Sequence, residues 1–489
     1  MVIEEGDIGT ESSEDDLLVK GVSGAGNGRA SAAIVGRPNT SPGYWLCMLL
    51  PLALASNLVH KVRCTENIST HGMLTIAAVG MCVESLCFFL YIFCKAGLLL
   101  KLLIAFVPGL ITTLLYKALL QQPWSYGLFW GFVTTFSYQN SYVRVMRACP
   151  ACFSFGEAAV LVQGLMLFIL NVILKLPNTL FSNQIRSDFD DLNVIMMFAL
   201  FYLFAVCCLL AAANILRTTV CFYPLIFLFA ITVTCSPITN PIPLITLLNF
   251  ILKDKARLNM IYFYIALVVL TFLAVWWETS QEGKATTRVR KIFHLLIVLV
   301  YIPGVVYQCT FLYIASGVAF AIFTILELIR VFNIPPWSIT LCRAFTSFSD
   351  EKDAGVLALT PFCLLIGCSL PMWISTCPCG ASDDPRILPL LSGVLSIGIG
   401  DTAASWVGSK FGRIRWPNSD KSLEGTLAFI VTTLLAILLL NLFSLISMSA
   451  LKWFTAGIAT LATALIEAQT DQIDNLTLPI IFYTIVNTI

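Results

Sequence analysis

The sequence predicts an all-α, polytopic transmembrane helical bundle. Three observations carry this. Hydrophobic residues make up 58% of the chain and charged residues 12%, about half the charged share of an ordinary soluble domain. Mean hydropathy is +0.86. From Tyr44 onward, apolar runs long enough to enter a bilayer follow one another almost without a break. Those runs are continuous rather than alternating, which argues against a membrane β-barrel.

Residues 1–42 are different. Seven acidic residues face three basic ones, with many Ser and Gly and no apolar periodicity. This composition predicts a disordered acidic tail. Its Gly24–Ser31 run has no preceding strand and no Gly-Lys-Ser/Thr ending, so it is not a phosphate loop. It also lacks the apolar core of a signal peptide.

Candidate spans follow at 44–59, 73–94, 102–120, 123–140, 156–174, 193–213, 219–236, 240–252 and 259–277. They continue at 292–308, 310–332, 355–376, 387–407, 425–446, 451–467 and 478–489. Several are short or broken by proline, and about 14 crossings are expected. The chain divides into the tail, an N-terminal transmembrane region over 43–277 and a C-terminal one over 278–489. No soluble segment is large enough to carry chemistry alone, so any active site sits at the membrane surface. A net charge of +1 with no basic arm gives no sign of a nucleic-acid partner.

Most of the 17 cysteines lie scattered in apolar runs, where unpaired packing is the expectation. A C-x-x-C at Cys149 and Cys152 and a C-x-C at Cys377 and Cys379 stand out. The only histidines, His60, His71 and His294, are too dispersed to complete a four-ligand zinc site. A bridge between Cys377 and Cys379 would be strained.

With the last seven spans taken as real, the loops 278–291, 333–354, 409–424 and 468–477 share one side of the membrane. They also hold most of the ionisable residues. The positive-inside tendency places that side in the cytosol. Lys253, Lys255 and Arg257 go against the tendency.

Residues 398–426 put seven charged residues into 29 positions between two apolar runs. Charges so placed usually line a wet cavity with a function. Asp401 reads as a Mg²⁺ ligand or a base for a substrate hydroxyl; its bland alternative is an ion pair with Lys410 or Arg413. Glycines at 398, 400, 408 and 412 allow close backbone approach. Lys421 stands just before a helix start, where free N–H groups attract phosphate. Ser422 and Glu424 there also suit plain capping. Arg290, Lys291 and His294 mark the entry to the span at 292. Asp350 and Asp353 could share a cation or belong to a solvated loop. Glu467, Asp474 and Asn475 lie on the same proposed face.

G398-I-G-D-T-A-A-S405, with Gly408 and Gly412, W416-P and K421-S-L-E-G-T426, resembles the CTP-binding signature of the polyprenol kinase family. R290-K-I-F-H294, S349-D-E-K-D-A-G355, A464-L-I-E467 and D474-N475 are similar to further motifs of that family. The likeness is specific over about 284–480. Upstream, F153-S-F-G-E-A158 is the best local match, and the long N-terminal half is similar to that of eukaryotic members. Three positions depart. Asp420 replaces a second lysine, Ser422 a threonine and Lys352 an arginine.

The resemblance implies that 278–489 is a CTP-dependent kinase domain. The acceptor would be the terminal hydroxyl of dolichol or another polyprenol, in the endoplasmic reticulum membrane, with a site facing the cytosol. The nucleotide-binding set it implies runs through Gly398, Gly400, Thr402, Ser405, Gly408, Lys410 and Gly412. It continues through Lys421, Ser422, Glu424, Gly425 and Thr426, with Asp474 and Asn475 from the last loop. Mg²⁺, or another divalent cation, would rest on Asp401 with Asp350 or Glu467. Lys421, Lys291 and Arg290 would steady the transferring phosphoryl. His294 or a carboxylate such as Asp353 would take the alcohol proton. The alternatives are a kinase for diacylglycerol, phytol or farnesol, a cytidylyltransferase, and a transporter using Glu84 and Asp401. The last would be expected to show paired broken helices in two related halves, and no such repeat is visible.

Overall fold

A computed structural model of the chain describes residues 34–59, 68–94, 98–181, 187–282, 287–348, 355–375, 379, 387–417 and 419–488. Among them the regular elements are helical and no strand forms, as the composition predicts. A 3₁₀ turn over Tyr44–Met48 leads into α1 (Leu49–Val59). There follow α2 (Ile68–Cys94), α3 (Leu98–Leu120), α4 (Trp124–Ala148), α5 (Phe155–Phe181) and α6 (Asp188–Ala212). Then come α7 (Thr219–Cys235), α8 (Pro243–Leu252), α9 (Lys255–Glu282), α10 (Thr287–Tyr307), α11 (Cys309–Val331), α12 (Ser338–Phe348) and α13 (Leu359–Ile374). The C-terminal group is α14 (Ile387–Leu390), a π-helical segment over Val394–Asp401, α15 (Thr402–Phe411), α16 (Leu423–Leu442), α17 (Ala450–Gln469) and α18 (Asp474–Val486). Six helices among the described residues are long and apolar enough to cross a bilayer by themselves, and further apolar helices are shorter.

Local chemistry sets several helix starts. Ser187 and Asp190 form a reciprocal capping box at α6. Ser422 caps α16 and Ser449 caps α17, each accepting a first-turn backbone N–H.

The helices run alternately between two ends of the bundle. Lys291 opens α10 at the end that carries Asp401, and α11 returns from Cys309 to Arg330 at the same end. One candidate span does not cross. Arg217, just before α7, stacks on Phe332 at the Asp401 end, 4.5 Å from the ring centroid. So α7 ends at the opposite end. There α9 also begins, with Arg257 Nε donating to Gln308 Oε1 at 3.1 Å. The ten-residue α8 therefore starts and finishes on one side. Lys253, Lys255 and Arg257 thus lie at the end away from Asp401, and the bundle keeps them against the positive-inside tendency.

Among the described residues, two large hydrophobic cores and three smaller ones fill the bundle. Of the large ones, one joins α1, α2, α4 and α5; the other joins α10, α11, α16 and α17. Helix α18 serves both: Leu476 and Ile480 pack in the first, Phe482 and Val486 in the second. The helix that begins with Asp474 is thus wedged between the two halves of the chain.

Cys309 and Cys379 form a disulfide, against the expectation of unpaired packing. The two are 70 residues apart in sequence, and only the folded bundle brings them together. Cys149 and Cys152 are free thiols. Cys377 lies outside the described residues.

Candidate functional site

At the Asp401 end, a cavity of about 1090 Å³ opens between α10, α11, α13, α15, α16 and the start of α18. All four ionisable loops or their helix ends reach it: Lys291, Arg330, Lys421 and Asp474 line its wall. This is the convergence the loop count predicts.

Asp401 ends the π-helical segment. The helix expected over 387–407 stays helical here but changes from π to α geometry. A π turn widens the helix by one residue and is common at functional positions. Gly398 and Gly400 permit this geometry through packing. A methyl on Gly398 would lie 2.7 Å from Val298, and one on Gly400 would lie 2.6 Å from the ring of Phe429. Neither glycine lines the cavity; both seat the segment against α10 and α16.

The Asp401 carboxylate faces α10. Lys291 Nζ donates to Asp401 Oδ2 at 3.4 Å. His294 Nδ1 lies 3.7 Å from the same oxygen and 3.1 Å from Thr402 Oγ1. Lys291 and His294 are three residues apart and share one helix face. Thr402 therefore positions the imidazole.

Residues 412–417 and 419–422 fold back on each other as the two arms of a hairpin. Arg415 and Ser422 form its bridge, and Trp416 N–H donates to Lys421 C=O at 3.0 Å. Glu424 accepts from the backbone N–H groups of Arg413 and Ile414 at 3.0 and 3.2 Å. The Trp416 indole donates to Thr426 Oγ1 at 2.9 Å. Ser419 Oγ donates to Ala468 C=O at 2.8 Å, tying the hairpin to α17. The Arg415 and Asp420 side chains pair at 3.4 Å at the exposed rim of the cavity.

This frame delivers Lys421 between two acids. Its ammonium pairs with Glu467 and lies 4.0 Å from Asp474. Burial works against that charge, but Asp474, Glu467 and Asp401 outweigh it and push the lysine pKa above its ordinary value. The centre holds three carboxylates (Asp401, Glu467, Asp474) against two ammonium groups (Lys291, Lys421).

Ser405, Gly408, Gly412, Ser422, Gly425, Thr426 and Asn475 also line the cavity. Lys410 does not; its ammonium sits over the Trp406 ring, 4.5 Å from the centroid. Asp350, Asp353 and the side chain of Arg290 lie outside the described residues.

Two further features bear on the site. Glu327 and Arg330 pair at 2.6 Å on the cavity wall, and Glu327 also accepts from Ala358 N–H. Their only sequence signal was two charges three residues apart at the end of an apolar run. The second is a clamp from the N-terminal half. Arg37 and Glu157, each 1% exposed, pair at 2.6 Å. Glu157 also accepts the N–H groups of Ser154 and Ile473 at 3.0 and 2.8 Å. Gln472 donates to Ser41 C=O at 2.9 Å, and Ser41 Oγ donates to Asp471 at 2.7 Å. The signal here was the F153-S-F-G-E-A158 motif, which contains Glu157 but not its partners.

The family profile described as Dolichol kinase matches residues 133–414. The chain is 34% identical to "Dolichol kinase" of Homo sapiens over 348 residues, covering 68% of this chain and 64% of the human protein. It is 36% identical to "Dolichol kinase EVAN" of Arabidopsis thaliana over 252 residues, 50% of this chain and 43% of that protein. With "Dolichol kinase" of Saccharomyces cerevisiae it shares 32% over 199 residues, 40% and 36% of the two chains. The matched stretch thus spans a little under two thirds of the human relative. No solved structure matches the chain. With a family profile covering more than half its length, and with Lys291, His294 and Asp401 of that stretch gathered at one cavity, this chain belongs to the dolichol kinase family.

Proposed function

We propose that this protein transfers the γ-phosphoryl group of CTP to the terminal hydroxyl of dolichol, in the endoplasmic reticulum membrane, from a site facing the cytosol. One observation carries the reading. A cluster of acids and lysines, Lys291, Lys421 and Asp474 from three loops with Asp401 and Glu467 from helix ends, closes one end of a cavity whose other end is apolar and lies among membrane helices. A soluble nucleotide and a lipid alcohol can meet at such a junction.

Phosphoryl transfer rests mainly on positioning and charge stabilisation. Lys421 and Lys291 supply point charges for the phosphates. The N-terminus of α16 adds its free N–H groups beside them. His294, held by Thr402, receives the proton of the lipid hydroxyl.

The residues fit a divalent cation that arrives with the nucleotide. Among the described residues no group of three His, Cys, Asp or Glu side chains is arranged to hold a metal alone. Mg²⁺ needs no such cage, since one or two carboxylates suffice when phosphates complete its shell. Asp401 with Glu467 would hold it. The excess of one carboxylate over the ammonium groups favours a cation at this centre. When bound, such an ion neutralises charge on the β- and γ-phosphates.

The Cys309–Cys379 disulfide supports the orientation. It lies at the end away from Asp401, and disulfides persist in oxidising compartments such as the endoplasmic reticulum lumen. On this reading the charged end faces the cytosol.

The test is transfer by the purified full chain in lipid nanodiscs, with γ-labelled CTP or ATP and a panel of lipid alcohols. Label in dolichol from CTP and not ATP is the expected result. Label from ATP alone, or incorporation of the CMP moiety, would overturn the reading.

A further inference from the structure

The cavity extends beyond the charged cluster into a limb between α10, α11 and α13. We infer that the apolar limb between α10, α11 and α13, roofed by α12, binds the hydroxyl-proximal isoprene units of the acceptor lipid. This rests on the phosphotransfer reading above and adds where, and how much of, the lipid is recognised.

One helix face joins the two limbs. His294, Ile297 and Tyr301 succeed one another at helical spacing on α10, and all three line the cavity. Seven residues of helix cover about 10 Å, so the face leads from the charged end well into the bilayer interior. Leu296 and Val300 of α10, Phe323 of α11, and Phe362 and Leu365 of α13 complete an apolar wall.

Polar groups along this limb are paired with one another. The Tyr301 hydroxyl and Ser369 Oγ lie 2.6 Å apart. Glu327 and Arg330 hold each other and the backbone of Ala358 and Val356. A limb with such walls takes hydrocarbon rather than a ribose or a base, both of which need hydrogen-bond partners.

The limb also has an opening and a roof. Phe323 and Leu326 on α11 line the cavity and are 38% and 39% exposed, so α11 leaves this side of the limb incompletely covered. Leu341 and Phe345 of the short helix α12 face the cavity, while Trp337 and Ile339 near its start face outward. The Arg330 guanidinium sits 4.4 Å from the centroid of the Phe345 ring and pins the roof to α11.

Size limits what the limb reads. Pockets for one drug-sized ligand occupy about 300–1,000 Å³. A cavity of about 1090 Å³ shared with a nucleotide has room for only the first few isoprene units. The rest of a long polyprenol stays in the bilayer.

Three measurements on the full chain in nanodiscs test this. Val300→Trp and Leu365→Trp fill the limb and are expected to raise the lipid KM by about tenfold or more, the scale on which apolar pockets discriminate. Their binding of labelled CTP is expected to stay at the unsubstituted level, which also shows that they fold. Val431→Trp, on the outer face of α16, is expected to leave both unchanged. A diazirine-bearing prenyl alcohol is expected to label α10 and α13 in the unsubstituted protein. Short and long polyprenols are expected to accept phosphate with similar kcat/KM. Unchanged lipid KM in both tryptophan variants, labelling confined to other helices, or transfer restricted to long chains would each overturn the limb while leaving the kinase reading intact. Labelling of α10 and α13 with no phosphoryl transfer would support the limb and refute the kinase reading.

Discussion

The Glu157 carboxylate accepts the backbone N–H of Ile473 at 2.8 Å, across 316 residues of sequence. Ile473 is the residue before Asp474, and α18 has no side-chain cap of its own. Glu157, neutralised by Arg37, therefore acts as the anion at that helix start. The N-terminal half holds the last loop of the site in place.

Glu157→Gln is expected to break the pair with Arg37 and leave a buried guanidinium uncompensated. Breaking such a pair costs about 3–5 kcal/mol. The measurable result is a lowered unfolding temperature together with reduced kcat. Full turnover in Glu157→Gln would show that the clamp has no bearing on the site.

Lys421→Ala removes the one ammonium set between Glu467 and Asp474. A loss of kcat of about 10²-fold or more is expected, the scale of a lost preorganised charge contact. Asp401→Asn is expected to do the same, because both Lys291 and His294 orient on its carboxylate. Labelled phosphate transfer in membranes checks both. Normal turnover by Asp401→Asn would refute its role at the metal.

The pH dependence has a definite sign. Lys421 has its pKa raised in the folded protein by Asp474, Glu467 and Asp401, against the effect of burial. Its ion pairs are therefore fully present below the ordinary lysine pKa of about 10.4 and are lost only as pH rises through the higher folded value. CTP binding is expected to stay flat from about pH 7 to pH 9 as far as this group is concerned. A loss over that range that Lys421→Arg abolishes would contradict it.

Gly400→Ala separates packing from ligand contact. Its methyl would meet the Phe429 ring at 2.6 Å, and overpacking of this kind costs about 1–3 kcal/mol. Lower thermal stability with an unchanged KM for CTP is expected. A selective rise in that KM would instead place Gly400 against the nucleotide.

Asn475 heads an Asn-x-Thr sequence but is buried in the cavity wall. Mass spectrometry of the protein from a glycosylating host is expected to find it unmodified. A glycan there would reverse the orientation of the last four loops.

The sequence by itself determined the membrane class and that the last four loops meet at one end of the bundle. It also marked Lys291, His294, Asp401, Lys421, Glu467 and Asp474 as site candidates. Apolar run length, charge density and loop parity are local properties, so they survive without coordinates. Only the tertiary structure decided the partners. Lys421 meets Glu467 46 residues away, Cys309 meets Cys379, and Glu157 reaches Ile473. It also turned Gly398, Gly400 and Glu424 into supports for the segment and hairpin, left Lys410 on a tryptophan face, and stopped α8 from crossing. Such outcomes depend on which helix faces meet. Helical periodicity marks a face, but only packing in three dimensions selects its neighbour.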